Sequence, residues 1–167
     1  MGYLFSGSVE LTADDKNRFR FPAKYKDAYL SYDASNELVI EDVYVLKMPH
    51  TNFLTVMPKK VAESFIRQMQ KLLYINETRD TRIAKYCISH IEPCKVDSQG
   101  RFVISQRQKG SLILDKEIVM VGMGNQIEIW DKKVYEASMA SAEEELSASF
   151  DESQERSIID NMVIGIE

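Results

Sequence analysis

One segment of this chain is written twice. Ala13-Asp14-Asp15-Lys16-Asn17-Arg18-Phe19-Arg20-Phe21 aligns with Val96-Asp97-Ser98-Gln99-Gly100-Arg101-Phe102-Val103-Ile104 at an offset of 83 residues, and both read Asp, three residues, Arg, Phe. A repeat decides architecture before any single element does. Strand-like runs precede each copy, at Gly7 to Thr12 and Ile88 to Lys95, and a basic segment leading into an apolar run follows each. The chain therefore reads as two similar halves. A short hairpin is not stable alone, so two such units must pack together or intertwine.

Local chemistry explains the repeated unit. An Asp followed by Asn or Gly favours a hairpin turn, because its carboxylate bonds backbone amides two or three residues on and Asn17 or Gly100 tolerates positive φ. Asp14, Asn17, Asp97 and Gly100 are thus read as turn-forming and orienting residues. On the returning strand, period-two alternation puts Arg18 and Arg20 on one face and Phe19 and Phe21 on the other. Arg101 and Val103 likewise face outward over Phe102 and Ile104. Each half then has an apolar face to bury and an arginine beside a tight turn.

The remaining elements follow from pattern. Glu37 to Glu41 and Phe53 to Met57 read as strands, and Pro58 starts a helix with Val61, Phe65, Ile66, Met69, Leu72 and Leu73 on one face. A shorter helix is expected over Thr78 to Lys85. Glu117 to Val121 and Gln126 to Trp130 read as strands around a Gly122-Met123-Gly124-Asn125 turn, and Asp131 is placed to cap a helix running to about Ser149. Beyond Phe150 an acidic, flexible stretch to Arg156 and a docking apolar end, Ile158 to Ile166, are expected.

With 167 residues the prior is one domain, or two small repeats sharing one core. Lys and Arg number 21 against 26 Asp and Glu, a net of −5, so the whole molecule does not advertise nucleic-acid binding. The distribution says more than the total, although either basic stretch taken alone reads as an ordinary solvated face and only their repetition changes that. Lys16, Arg18, Arg20, Lys24 and Lys26 occur with no acid from Lys16 to Lys26, and a second basic stretch runs from Lys95 to Lys109, while acids crowd the carboxyl end. Cys87 and Cys94 are too few for a disulfide scaffold or a zinc site, and no apolar run is long enough to span a membrane. A soluble protein of the reducing cytoplasm, without a signal peptide, is expected.

The stretch Val121-Gly122-Met123-Gly124-Asn125-Gln126-Ile127-Glu128-Ile129-Trp130-Asp131 resembles the VGxGNRIEIWD signature of the bacterial MraZ regulators, with Gln126 where Arg is usual. The family's Asp-x-Lys-Gly-Arg motif has counterparts in Asp14 to Arg18, followed by Phe21-Pro22-Ala23-Lys24-Tyr25, and in Asp97 to Arg101. Asn17 replaces Gly, Ser98 and Gln99 replace an acidic-Lys pair, and Ser105 stands where Pro is usual. The resemblance spans roughly Gly2 to Phe150. It implies an α+β fold of two pseudo-repeated AbrB/SpoVT-type swapped-hairpin units, residues 1–75 and 76–150, forming a small double-split β-barrel with peripheral helices and an acidic tail over 151–167. It further implies a sequence-specific, nucleoid-associated repressor of the division and cell-wall operon. Such a repressor grips short repeated promoter boxes in double-stranded DNA as a homo-oligomeric ring larger than a dimer.

Repeat and resemblance together select Lys16, Arg18, Arg20, Lys24, Arg101 and Arg107 as DNA-binding candidates. Taken singly, Arg18 and Arg101 could simply pair with Asp14 and Asp97, a role compatible with phosphate binding because an orienting carboxylate can hold an arginine. Asp14 and Asp97 suit capping better than acid catalysis, Cys87, Ser89 and His90 are adjacent without triad geometry, and His50 reads as a loop residue. Gly122-Met123-Gly124 lacks the third glycine and the following helix of a dinucleotide site. No catalytic residue, metal, cofactor, small-molecule substrate or membrane partner is assigned. A ring-forming scaffold without specific DNA binding is the alternative, and an enzyme ranks a distant third.

Overall fold

The computed structural model describes residues 4–25, 42–74, 78–149 and 152–164, and the chain divides into two compact units, Met1–Lys132 and Lys133–Glu167. In the first unit the strands are β1 (Ser8–Thr12), β2 (Phe19–Arg20), β3 (Val43–Leu46), β4 (Phe53–Pro58), β5 (Glu92–Cys94), β6 (Arg101–Phe102), β7 (Glu117–Gly122) and β8 (Ile127–Asp131). Helix α1 (Lys59–Leu72) and α2 (Arg79–His90) follow β4, and the short α3 (Gln106–Lys109) follows β6. The second unit holds most of α4 (Lys132–Ser149) and all of α5 (Glu152–Ile164). The fold class is α+β.

Six strands form one antiparallel sheet in the order β1-β7-β8-β4-β3-β5, while β2 and β6 form a separate two-stranded ribbon. Among the described residues the hydrogen-bonded sheet is open, with β1 and β5 at its edges, so the expected barrel is not a continuous cylinder. Chain connectivity supplies the tie. The ribbon strand β2 leaves the β1 edge through one Asp-Arg turn, β6 leaves the β5 edge through the other, and the two pair as Phe19↔Phe102 and Arg20↔Arg101.

Alternation along these strands makes the core. Val43 and Val45, Leu54 and Val56, Ile118 and Met120, and Ile127 and Ile129 are buried in one cluster with Phe5, Phe19, Phe102 and Ile104. Phe19 and Phe102 are 5% and 3% exposed, whereas Arg20 is exposed and Val103 is 48% exposed, which is the strand phase the alternation predicts. A second cluster on Leu46 and Met57 packs against Ala62, Phe65 and Met69 of α1 and Cys87 of α2.

The repeat continues past the ribbon. Residues 23–25 are helical, and Tyr25 donates its hydroxyl to the Gly7 carbonyl at 2.6 Å; at the equivalent position Gln108 donates its amide to the Pro93 carbonyl at 3.1 Å. Ser105, in the place of Pro22, caps α3 by accepting the Gln108 N–H at 3.1 Å, while Gln108 Oε1 accepts the Ser105 N–H at 3.1 Å. Both residues open a helical turn by different means. Gly122 has another requirement: a Cβ there would strike the backbone of Phe5 and Ser6, which crosses beside β7.

Several expectations need correction. Ile88 to Lys95 is not one strand, because α2 runs on to His90 and only Glu92–Cys94 is extended. Ala84, Cys87, Ile88 and Ile91 recur at helical spacing, and burial of Ala84 and Cys87 holds the helix past Lys85. Thr78 caps it, accepting the Thr81 N–H at 3.4 Å. The acidic stretch after Phe150 enters a helix, consistent with the absence of Gly and Pro from Glu152 to Ile164. The strand expected at Glu37 to Glu41 lies outside the described residues.

Phe102 touches both Phe19 and Phe21, with ring centroids 5.9 and 4.8 Å apart. Phe102→Ala is expected to cost about 3–5 kcal/mol and Phe19→Ala a similar amount. Urea unfolding checks this, and wild-type midpoints would contradict the assigned core.

Candidate nucleic-acid interface

The two Asp-Arg turns have the same geometry bond for bond. Asp14 Oδ1 accepts the N–H groups of Lys16 and Arg18, each at 2.9 Å, and its Oδ2 accepts Arg18 Nε at 2.7 Å. Asp97 Oδ1 accepts those of Gln99 at 2.9 Å and Arg101 at 2.8 Å, and its Oδ2 accepts Arg101 Nε at 2.7 Å. Backbone bonds close each turn, Asp14 N–H to the Arg18 carbonyl at 2.9 Å and Asp97 N–H to the Arg101 carbonyl at 2.8 Å. Asn17 and Gly100 occupy the same left-handed position, with φ of 58° and 78°. One carboxylate thus fixes both the reversal and the guanidinium. The bond consumes Nε alone, so the terminal NH2 groups keep their donors.

Pairing of β2 with β6 merges the two turns into one surface. Opposed residues of an antiparallel pair share a face, so Arg18, Arg20, Arg101 and Val103 lie together on the side opposite Phe19 and Phe102. The Phe21 N–H donates to the Gly100 carbonyl at 2.8 Å, which makes Arg20↔Arg101 a non-hydrogen-bonded pair. Such pairs are the closer kind, with Cα atoms about 4.5 Å apart. Like charges directly opposite are unfavourable. Asp97 offsets that repulsion at Arg101, and Arg20 projects as the exposed cation of the face.

The other candidates sit at repeat-equivalent places. Lys24 and Arg107 are 83 residues apart, each in the helical turn after its ribbon strand. Lys24 Nζ lies 5.7 Å from the Tyr25 ring centroid, and Arg107 Nε pairs with Glu92 Oε1 at 2.9 Å while its side chain stays largely exposed. Lys16 is exposed at the first turn, where the second has Gln99. The first half therefore carries Lys16 and Arg20 where the second has Gln99 and Val103. Sequence reasoning missed the Arg20↔Arg101 juxtaposition and the Glu92 partner. The repeat was the available signal for the former, since strands related by a pseudo-two-fold axis can pair with each other.

Burial raises the Cys87 thiol pKa, and burial followed by the Asp42 carboxylate pushes that of Cys94 up to about 11, so both stay protonated. His90 stacks on Tyr86 at 3.9 Å, with Nδ1 2.8 Å from the Tyr86 carbonyl and 2.9 Å from Ser89 Oγ. Among the described residues no group of His, Cys, Asp and Glu could hold a metal, and no helix is long and apolar enough to cross a membrane.

Hydrogen bonds from the Arg18 and Arg101 amides, then from their guanidinium groups, outweigh desolvation and hold the Asp14 and Asp97 carboxyls below their ordinary 3.8. A depressed folded-state pKa stabilises the fold fully above the ordinary value, and the contribution fades as pH falls through the folded one. Asp14→Asn/Asp97→Asn should therefore lower the urea midpoint at neutral pH and flatten its decline in acid. An unchanged acid limb would contradict the turn's role.

The family model for the MraZ protein, described as antitoxin-like, matches residues 88–158, which contain the second Asp-Arg turn, β6 to β8 and α4. A protein of Methylococcus capsulatus named Transcriptional regulator MraZ is 30% identical over 136 residues, covering 80% of this chain and 82% of its own length. Its namesake in Nitrosococcus oceani is 31% identical over 150 residues, covering 86% and 95%, and that of Delftia acidovorans 27% over 150 residues, covering 88% and 96%. Similarity at this level across nearly whole chains, together with the family match over the second half, places this chain in the MraZ family.

Proposed function

We propose that this protein is a sequence-specific DNA-binding transcriptional repressor of the division and cell-wall operon. The observation that carries the reading is the duplicated aspartate-clamped arginine on one ribbon face. A side chain oriented by its own turn loses little freedom on binding, and a guanidinium with free terminal NH2 groups suits phosphate oxygens or a guanine edge. Relatives named as transcriptional regulators support the regulatory class. Lys16, Arg18, Arg20, Lys24, Arg101 and Arg107 are the contact residues in this reading, and Asp14, Asn17, Asp97 and Gly100 set the turns.

The finer architecture belongs to the same proposal. Residues 1–75 and 76–150 act as two AbrB-like swapped-hairpin units whose ribbon completes a small barrel, residues 151–167 form an acidic tail, and the protein works among nucleoid DNA in the cytoplasm. Copies assemble into a ring larger than a dimer. A ring repeats the arginine face at fixed intervals, so modest contacts to successive promoter boxes combine through effective concentration.

Each phosphate contact contributes about 0.9 to the slope of log K against log salt. Arg18→Ala and Arg101→Ala should each lower affinity for the duplex upstream of the protein's own gene and reduce that slope by about one per engaged subunit. Unchanged slopes with particle size intact would overturn the assignment and favour a scaffold that does not read DNA. Duplexes with one box should bind far more weakly than those with several correctly spaced boxes, and equal affinity would remove the avidity mechanism.

A further inference from the structure

The α1–α2 helical hairpin carries a basic cluster outside the arginine ribbon. From Lys59 to His90 there are seven Lys and Arg against three Asp and Glu, a net of +4 in a chain whose total is −5. Arg67 and Lys71 lie one turn apart on α1, and Arg79 and Arg82 lie three residues apart on α2. The Thr81 hydroxyl donates to the Leu72 carbonyl at 3.1 Å, joining the carboxyl end of α1 to the amino end of α2. Both like-charge pairs therefore crowd the closed end of the hairpin.

All four side chains are exposed, and none forms an ion pair among the described residues. By contrast Arg18, Arg101, Arg107 and Lys132 each hold a carboxylate. Like charges at these spacings destabilise a helix. Arg79 and Arg82 also stand at the positive end of the α2 dipole, the unfavourable end for cations. An external polyanion offsets all of these costs at once. Three of the four are arginines, whose planar fork matches phosphate oxygens.

Position relates this cluster to the ribbon. Pro58, Val43 and Cys94 are in register across β4, β3 and β5, so Lys59 of α1 and Lys95 leave the same end of the sheet, and Lys95 leads into the second Asp-Arg turn. At 1.5 Å per residue the 14-residue α1 spans about 21 Å, less than one duplex turn of about 34 Å. We propose that Arg67, Lys71, Arg79 and Arg82 form a second, sequence-independent contact surface for the phosphate backbone of duplex DNA, flanking the contacts of the arginine ribbon. This inference rests on the DNA-binding reading above.

The test measures binding of Arg67→Gln/Lys71→Gln/Arg79→Gln/Arg82→Gln to the upstream duplex and to a scrambled duplex across a salt series. The salt slope should fall by about 0.9 for each lost contact, up to about 3.6 per engaged subunit, with affinities for both duplexes reduced by the same factor. Arg67→Lys/Arg79→Lys/Arg82→Lys should keep the wild-type slope. Should the fourfold variant fold poorly, the two double variants Arg67→Gln/Lys71→Gln and Arg79→Gln/Arg82→Gln divide the effect between them. A slope unchanged in these variants while Arg18→Ala lowers it would overturn the inference and leave the ribbon reading intact. Altered particle size with an unchanged slope would overturn it in favour of contacts between copies, and a wild-type protein with no salt-dependent duplex binding would remove both readings.

Discussion

The carboxylate in each repeated turn is the constraint on which the rest depends. Asp14 and Asp97 each accept two backbone amides and a guanidinium, so the chain reversal and the arginine are set by one group. The reversal fixes the phase of the returning strand: with Arg18 and Arg101 turned to the carboxylate, Phe19 and Phe102 must turn to the core. Burial of those rings is what allows two strands of two residues each to pair stably, and that pairing ties together the β1 and β5 edges of an otherwise open sheet. Removing the carboxylate would loosen the turn, the aromatic packing and the arginine together.

The charges around this ribbon run against simple stability. Arg20 and Arg101 are direct cross-strand neighbours, and only one of them has its own aspartate. The opposing negative charge is concentrated elsewhere in the sequence: Lys133–Glu167 holds nine Asp and Glu against two Lys and Arg, leaving Met1–Lys132 with 19 Lys and Arg against 17 Asp and Glu. A negative total therefore coexists with positive local fields on the unit that carries the ribbon. Like-charge neighbours kept on a rigid, aromatic-backed surface are what an anion-binding face requires, because the repulsion is relieved when the ligand arrives.

Much of this was legible before the fold was known, for reasons tied to particular residues. The Asp-to-Arg spacing, Asn17 against Gly100, and the alternation of Arg18 to Phe21 are local properties, and local chemistry decided the turns and the strand phase. The glycines around Met123 announced the β7–β8 hairpin in the same way. What was not legible depended on tertiary context. Cys87 and Ile88 fit a strand as readily as a helix until packing against Met57 and α1 extended α2 to His90. The pairing of Arg107 with Glu92 was not legible because it joins α3 to the short strand β5, whose extent packing decides. The strand order and the pairing of the two repeats with each other are long-range facts that no window of sequence contains.

The most direct measurement uses Val103, the uncharged, exposed member of the arginine face, as a reporter. Replacing Val103 with the photoreactive residue benzoylphenylalanine leaves every arginine and both aspartate clamps in place. Irradiation with the upstream duplex should give a protein–DNA adduct at this position, and Ile113, also exposed but outside the ribbon, should give little. Adducts formed only between copies of the chain, or equal DNA adducts at both positions, would contradict a ribbon that faces DNA.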